Sequence, residues 1–269
     1  MIQLRQTVII FLALLAFSSC EEKMELNPEN AEEKIVVEAL FADNAMASYL
    51  RITKSKGVYE SVIDHPKVTD AIVKMIDKTD GTIINYTHEG GGSYKTTVNG
   101  IVGHDYRLEI DADGQHITGE QTMLAATPLN RIVSRATDEP NRFMLDTYFD
   151  DNPDTEDYYL YIMYPADQTV EPRFSVASDL QYNTNTHALL IPDEVFNQGE
   201  QWFVFMFHID RSNYNYLKVI LRAMKSLNSG SHPFYGISLG NPTSTIQGDK
   251  VMGYFIASPV SFSPIVIGN

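Results

Sequence analysis

The segment HDYRLEIDADGQHITGEQTM (residues 104–123) carries the clearest structural signal in the chain. Tyr106, Leu108 and Ile110 alternate with polar residues, which is the pattern of a β-strand with one buried face. Asp113-Gly114 follows, and an Asp-Gly pair between alternating runs is a strong signal for a tight hairpin turn. The segment therefore predicts a β-hairpin whose second strand runs from 115 to 123.

Short segments of the same kind, separated by turn residues such as Asp80-Gly81, fill the chain before this hairpin. Seven short strands with no competing helical period are typical of a β-sandwich of immunoglobulin-like or transthyretin-like form. We therefore expect residues 34–126 to form a first sandwich domain. Its strands are predicted near 35–41, 48–53, 68–75, 82–87, 93–98, 104–110 and 115–123.

Thr127-Pro128 marks the expected start of a second, β-rich domain that spans residues 127–269. The run WFVFMFH (Trp202–His208) is apolar on both faces, which predicts a central strand covered on both sides. The acidic loop before Tyr158 joins two other predicted strands. Strands in this half are expected near 144–149, 158–164, 174–177, 188–191, 251–258 and 260–267.

An amphipathic helix is predicted near residues 214–227, because apolar residues recur there at spacings of three and four. Asp210, Ser212 or Asn213 can cap its start, and residues 228–230 end it. The apolar stripe comprises Tyr214, Leu217, Ile220, Leu221, Met224 and Leu227. The opposite face carries Lys218, Arg222 and Lys225, which form either the solvent side of the helix or a contact for an acidic partner or lipid headgroup.

The N-terminus predicts an exported lipoprotein. Arg5 precedes an apolar run from 7 to 17, which at ~1.5 Å per residue is too short to cross a ~30 Å hydrocarbon core but suits a signal peptide. Cys20, the one cysteine of the chain, follows directly and resembles the lipidated cysteine of a bacterial lipobox. An ordinary secretory signal with a chance cysteine is the alternative.

We therefore expect a signal peptide at 1–19, and a lipidated Cys20 with an acidic tether at 20–33. Two acyl chains would hold the protein on the outer membrane. Glu21 and Glu22 resemble a surface-export signal, which favours the cell surface over the periplasmic leaflet.

Composition excludes several classes of protein. Asp and Glu number 35 against 20 Lys and Arg, giving a formal net charge of −15, so no nucleic-acid partner is expected. One cysteine allows neither an internal disulfide nor a multi-cysteine metal site. No cofactor motif is present, and none is predicted.

Ser238 lies in Gly236-Ile-Ser-Leu-Gly240, which matches the G-x-S-x-G motif of serine hydrolases. That motif needs a strand before it and a helix after it, so that the serine is exposed on a strained turn. Pro233 stands upstream and Pro242 downstream, so no helix can follow. We interpret the match as a chance occurrence in a loop.

Asp150, Asn152 and Asp154 have the spacing of the first half of a calcium-binding loop. The expected glycine is Thr155 and the expected bidentate glutamate is Tyr161, so these residues are weak candidates for a metal site. A solvated acidic hairpin loop is the competing interpretation.

Histidines and aromatic residues are two further groups of candidate functional residues. His104 and His116 lie on neighbouring predicted strands and could meet across the hairpin, although lone strand histidines are usually packing residues.

Aromatic residues are dense in the second half, where a core is favoured over a ligand pocket. Among them Trp202, Tyr254 and Phe255, with the loop 229–250, are the candidate contacts for a ligand or partner.

Several segments together resemble the Bacteroidota lipoprotein family of unknown function DUF4249. They are KIVVEALF (34–41), GHDYRLEI (103–110), YNYLKVI (214–220) and IQGDKVMGYFIAS (246–258), besides Cys20. Thr245 stands where the family usually has Asn. The family has no established catalytic residues, and its members resemble accessory lipoproteins that are often encoded beside TonB-dependent outer-membrane transporters.

The resemblance implies a non-enzymatic accessory or ligand-binding subunit of a TonB-dependent nutrient transporter, with a β-barrel as partner. Its ligand would be a small molecule, glycan or peptide. A surface adhesin or matrix-binding module is the first alternative. A hydrolase with an unrecognised site is the second.

Overall fold

A computed structural model describes residues 33–55, 65–150, 154–167, 170–180, 186–192, 194–228 and 245–269. Within these ranges the chain is mainly β with one α-helix, as the sequence predicted. The strands are β1 (Ile35–Ala42), β2 (Tyr49–Lys54), β3 (Ile72–Asp77), β4 (Ile83–Asn85), β5 (Thr87–Gly90), β6 (Ser93–Lys95), β7 (Asp105–Ala112), β8 (Gln115–Thr122), β9 (Leu129–Ala136), β10 (Arg142–Asp150), β11 (Tyr158–Pro165), β12 (Arg173–Ser178), β13 (Thr186–Leu190), β14 (Phe196–Asn197), β15 (Gln201–Ile209), β16 (Ile246–Gln247), β17 (Val251–Ser258) and β18 (Val260–Val266). The helix is α1 (Arg211–Asn228).

The first sandwich consists of two five-stranded sheets, in the orders β17-β1-β2-β6-β5 and β16-β8-β7-β3-β4. The predicted hairpin is present, since β7 and β8 pair antiparallel with Ala112 opposite Gln115. Asp113 and Gly114 form its turn with φ of 49° and 71°. Tyr106, Leu108 and Ile110 point into the core between the sheets.

Strands β16 and β17 belong to this first sandwich, which corrects the predicted domain boundaries. β17 pairs in parallel with β1 from Ile35↔Val251 to Ala42↔Ser258, and β16 pairs with β8. Ile246 and Phe255 thereby enter the first core. The assignment of all of 127–269 to the second domain was wrong here, because alternation shows which face of a strand is buried but not which strand it pairs with.

The second sandwich packs a sheet in which β10 pairs with β9, β13 and β14 against a sheet ordered β12-β11-β15-β18. Tyr159, Tyr161, Trp202 and Met206 fill the core between them. Pro264 opposes Phe203 on the edge strand β18, a position where a missing backbone N–H is tolerated. The linker between the sandwiches is held by Ser261, whose hydroxyl donates to the carbonyl of Thr127 at 2.8 Å.

A third apolar cluster joins the two sandwiches and the helix. Leu40 and Ile256 extend from the outer face of the first sandwich, and Leu160 and Phe207 extend from the outer face of the second. Tyr216 and Leu217 of α1 pack into the same cluster. The outer faces of the two sandwiches are therefore partly buried against each other and the helix.

Helix α1 begins at Arg211, three residues before the predicted stripe. Asp210 is the cap, since its Oδ1 accepts from the backbone N–H of Asn213 at 2.9 Å. Among helix residues 211–225, Tyr216 and Leu217 are the most buried apolar side chains, whereas Met224, assigned to the buried stripe, is 51% exposed. In the described ranges, α1 included, no helix has the length and apolarity needed to span a bilayer.

Candidate functional site

Trp202 and Phe255, two of the three predicted contact residues, are buried in separate cores. Trp202 lies inside the second sandwich, where its Nε1 donates to Glu200 at 3.0 Å and the guanidinium of Arg173 lies 4.6 Å from its ring centroid. Phe255 lies inside the first sandwich. The alternation of β15 and β17 turns both side chains inward, so both serve as core residues, and their contact with a ligand stays a prediction.

Tyr254, the third predicted contact, lies in the cluster between the sandwiches. Its hydroxyl is 2.5 Å from that of Tyr49 on the first sheet, and the two form one hydrogen bond. Burial raises the pKa of Tyr254 and of Tyr49 well above the usual value for a phenol, so both stay protonated at neutral pH. The arrangement is a structural link rather than an exposed contact.

Several other predictions fall wholly or partly outside the described residues. They include the lipidation of Cys20, the hydrolase motif around Ser238, the loop up to residue 244 and the calcium ligand Asn152. Asp150 and Asp154 are described, and both are exposed at the ends of the acidic loop. These predictions stay predictions.

The two histidines do not meet. The register of the hairpin places His116 opposite Asp111, and their side chains are 2.7 Å apart. His104 lies beyond the other end of the hairpin, where its Nδ1 is 2.7 Å from Oδ2 of Asp77. A contact across the hairpin does not form, because the two histidines lie at opposite ends of the paired strands.

His104 also belongs to a group whose spacing would allow metal binding. Ligand atoms of Asp77, Asp80 and His104 lie within 4.8 Å of one another. Asp77 is buried, but its other oxygen accepts from the backbone of Thr79, and Asp80 accepts from the backbone of Thr82. These hydrogen bonds stabilise the turn between β3 and β4. A cation bound here would have to displace the contact between His104 and Asp77, so we interpret the group as structural.

Exposed aromatic side chains form a patch on the outer face of the second sandwich. Tyr164, Phe203 and Phe262 are 42%, 40% and 52% exposed, and Phe205 lies between them. The ring centroids of Phe203 and Phe262 are 6.0 Å apart, those of Phe205 and Phe262 are 5.0 Å apart, and those of Tyr164 and Phe205 are 5.7 Å apart. We call these four residues the aromatic patch.

The sequence pointed only partly to this patch. Trp202–His208 was expected to be covered on both faces, but the outer face is covered at Phe207 and open at Phe203. Phe262 was not singled out. The signal that could have identified it is the pairing of two adjacent strands, which places Phe262 directly opposite Phe205.

The basic residues of α1 are not simply a solvent face. Lys218, Arg222 and Lys225 line a groove together with apolar residues of β12 and β13. We call this the basic groove.

This is a protein of two β-sandwiches packed through their outer faces, with the first completed by strands from the end of the chain. A family model described as "Domain of unknown function (DUF4249)" matches residues 21–262, so the chain belongs to that family.

No curated protein matches the chain. Among solved structures, a two-domain fibronectin type-III segment of chicken tenascin is similar at 10% identity, with 66% of this chain and 91% of that chain covered and a TM-score of 0.23. A DUF4785 family protein from Legionella pneumophila is similar at 10% identity, with 65% and 51% covered and a TM-score of 0.24. Neither similarity bears on function.

Proposed function

We propose that this protein is a non-enzymatic subunit of the bacterial outer membrane, anchored by lipid at Cys20, which docks a protein partner through the aromatic patch. The partner is a TonB-dependent transporter, and the choice of that class rests on the family resemblance of the sequence. The observation that carries the docking role is the exposure of Tyr164, Phe203 and Phe262 on one sheet face.

Contiguous apolar side chains on a surface favour association. Covering apolar surface contributes about 25 cal/mol per Å², and aromatic residues are enriched at the centres of protein interfaces. The patch adjoins the cluster that already joins the two sandwiches, in which Phe205 and Val260 are partly buried. Its rings therefore stand on a supported sheet rather than on a loop.

A protein partner fits the patch better than a sugar does. Sites for small polar ligands combine apolar walls with several convergent hydrogen-bonding groups. The four side chains of the patch supply one hydroxyl, that of Tyr164. This favours the transporter subunit over an adhesin that recognises glycans.

Affinity capture of the full-length lipoprotein from detergent-solubilised outer membrane tests the proposal. We expect a TonB-dependent barrel to be recovered with the native protein and lost with the double variant Phe203→Ser and Phe262→Ser. The matched control is Ile72→Ser with Ile83→Ser, which removes two exposed apolar residues from the first sandwich and should retain the barrel.

Thermal unfolding of each variant shows whether the fold survives, and a folded patch variant is required for the comparison. Equal recovery of the barrel by the patch variant would contradict the docking role. Recovery of no barrel by the native protein, together with binding to host or matrix material, would replace the proposal with the adhesin alternative.

A further inference from the structure

The basic groove lies between α1 and the edge strands β12 and β13, at the opposite edge of the sheet from β18 and its part of the aromatic patch. Its volume is about 470 Å³, which is within the range of small-molecule sites, roughly 300–1,000 Å³. Phe174, Val176, Leu189 and Leu221 supply apolar lining. The groove is therefore of a size and polarity suited to a small organic molecule.

The charge of the groove is opposite to that of the chain as a whole. Lys225 is held by Glu194 at 2.9 Å, and the same carboxylate lies 3.6 Å from Arg173. Lys218 donates to the hydroxyl of Tyr214 at 3.1 Å. Because that hydroxyl is neutral, the bond does not compensate the positive charge of Lys218. Within the described ranges, Arg222 has no carboxylate within ion-pair distance.

Lys218 and Arg222 are four residues apart and therefore neighbours on one face of the helix. Two adjacent cations beside an apolar surface repel each other, and an anion placed between them would relieve that repulsion. A guanidinium offers a planar pair of N–H donors that matches a carboxylate, and an ammonium adds a second charged donor.

We propose that the basic groove binds a free amphipathic carboxylate, with its head group between Lys218 and Arg222 and its apolar body along Phe174, Val176 and Leu221. The proposal goes beyond the docking role and does not depend on it, because the groove and the aromatic patch share no residue. A groove of this volume has room for a molecule with one apolar chain. We therefore propose a free ligand as the occupant rather than the lipids of a membrane surface.

Titration calorimetry of the full-length protein with decanoate tests the proposal. Decanol has the same apolar body without the charge, and acetate has the charge without the body. Because a hydrogen bond to a charged group contributes about 1.5–3 kcal/mol, we expect decanol to bind at least about tenfold more weakly than decanoate. Acetate should show no binding, since it cannot use the apolar lining.

The double variant Lys218→Gln and Arg222→Gln should weaken decanoate binding at least about tenfold and leave decanol binding unchanged. The control Lys78→Gln with Lys95→Gln removes two exposed cations of the first sandwich and should bind decanoate as the native protein does. Lower salt should strengthen decanoate binding to the native protein, because the interaction is between charges.

Equal affinity for decanol and decanoate, or unchanged decanoate binding in the double variant, would overturn the proposal. Binding to vesicles that contain an anionic lipid, with no binding of free decanoate, would also overturn it and assign the basic residues to the membrane surface. These outcomes are independent of barrel recovery, so the two proposals fail separately.

Discussion

The hydroxyl pair of Tyr49 and Tyr254 links β2 to β17 inside the contact between the two sandwiches. Among the described residues, each hydroxyl has the other as its hydrogen-bond partner, so Tyr254→Phe leaves the partly buried hydroxyl of Tyr49 without that bond. An unsatisfied buried group costs about 1–3 kcal/mol, and we expect that loss in the free energy of unfolding measured with denaturant. Tyr49→Phe should cost a similar amount.

The double variant separates this link from the packing of the rings. With both hydroxyls removed, no unpaired group remains, and the cost should fall below the sum of the two single costs by about 1 kcal/mol or more. Tyr148→Phe is the control. The ring of Tyr148 contacts the guanidinium of Arg131, and its hydroxyl makes no hydrogen bond to the described residues, so its removal should cost little. Strictly additive costs would show that the two hydroxyls do not interact.

At the scale of single elements, β17 approaches β1 unusually closely at one residue. Gly253 has a φ of 136° and lies opposite Val37, and a Cβ on it would fall on the carbonyl of Val37. Gly253→Ala therefore combines backbone strain of about 1–3 kcal/mol with overpacking of about 1–3 kcal/mol. We expect a lower midpoint of denaturant unfolding and slower pairing of β17.

Gly103→Ala is the matched control for that substitution. Gly103 belongs to the same sandwich and has a φ of 85°, but a Cβ there has no heavy atom within 4 Å. It should show the backbone cost alone. If the two variants were equally stable, the close approach of β1 and β17 would carry no energetic weight.

The elements that the sequence predicted are those whose signals are local. The Asp-Gly turn of the hairpin and the Asp210 cap of α1 both lie within a few residues of the structure they specify. The parallel pairing of β1 with β17 joins segments that are far apart in the sequence. The residues of neither strand indicate which strand it pairs with. The aromatic patch was predicted only in part for the same reason, because the exposure of Phe203 and Phe262 depends on contacts between elements that are distant in the chain.

Thr245 stands where the family usually has Asn, and its hydroxyl makes two hydrogen bonds. Its hydroxyl donates to Asn213 at 2.9 Å and accepts from the backbone N–H of Phe255 at 3.0 Å. Asn213 in turn donates to the carbonyl of Phe255. A hydroxyl therefore connects the start of α1 to β17 at the position where the family resemblance leads one to expect Asn.

For the whole molecule, the first sandwich is assembled from two distant parts of the chain. Ile246 and Phe255 of the C-terminal strands are buried in its core, where each such side chain contributes about 1.5–3 kcal/mol, and Val251 packs against that core partly buried. A domain is stable by about 5–15 kcal/mol in total. Residues 33–126 alone therefore lack apolar burial whose contribution to stability is comparable to the lower end of that range.

We therefore expect the fragment 33–126 to unfold without a cooperative transition, whereas the same fragment followed by a flexible linker and residues 245–258 should unfold cooperatively. The linked segment restores the parallel partner of β1, the edge of β8 and the missing core side chains. Thermal unfolding followed by circular dichroism distinguishes the two outcomes. A linked fragment carrying Gly253→Ala provides the control, since it has the same length but cannot seat β17 closely. A sharp transition in the unextended fragment would contradict this prediction, since it would mean that the first sandwich folds without β16 and β17.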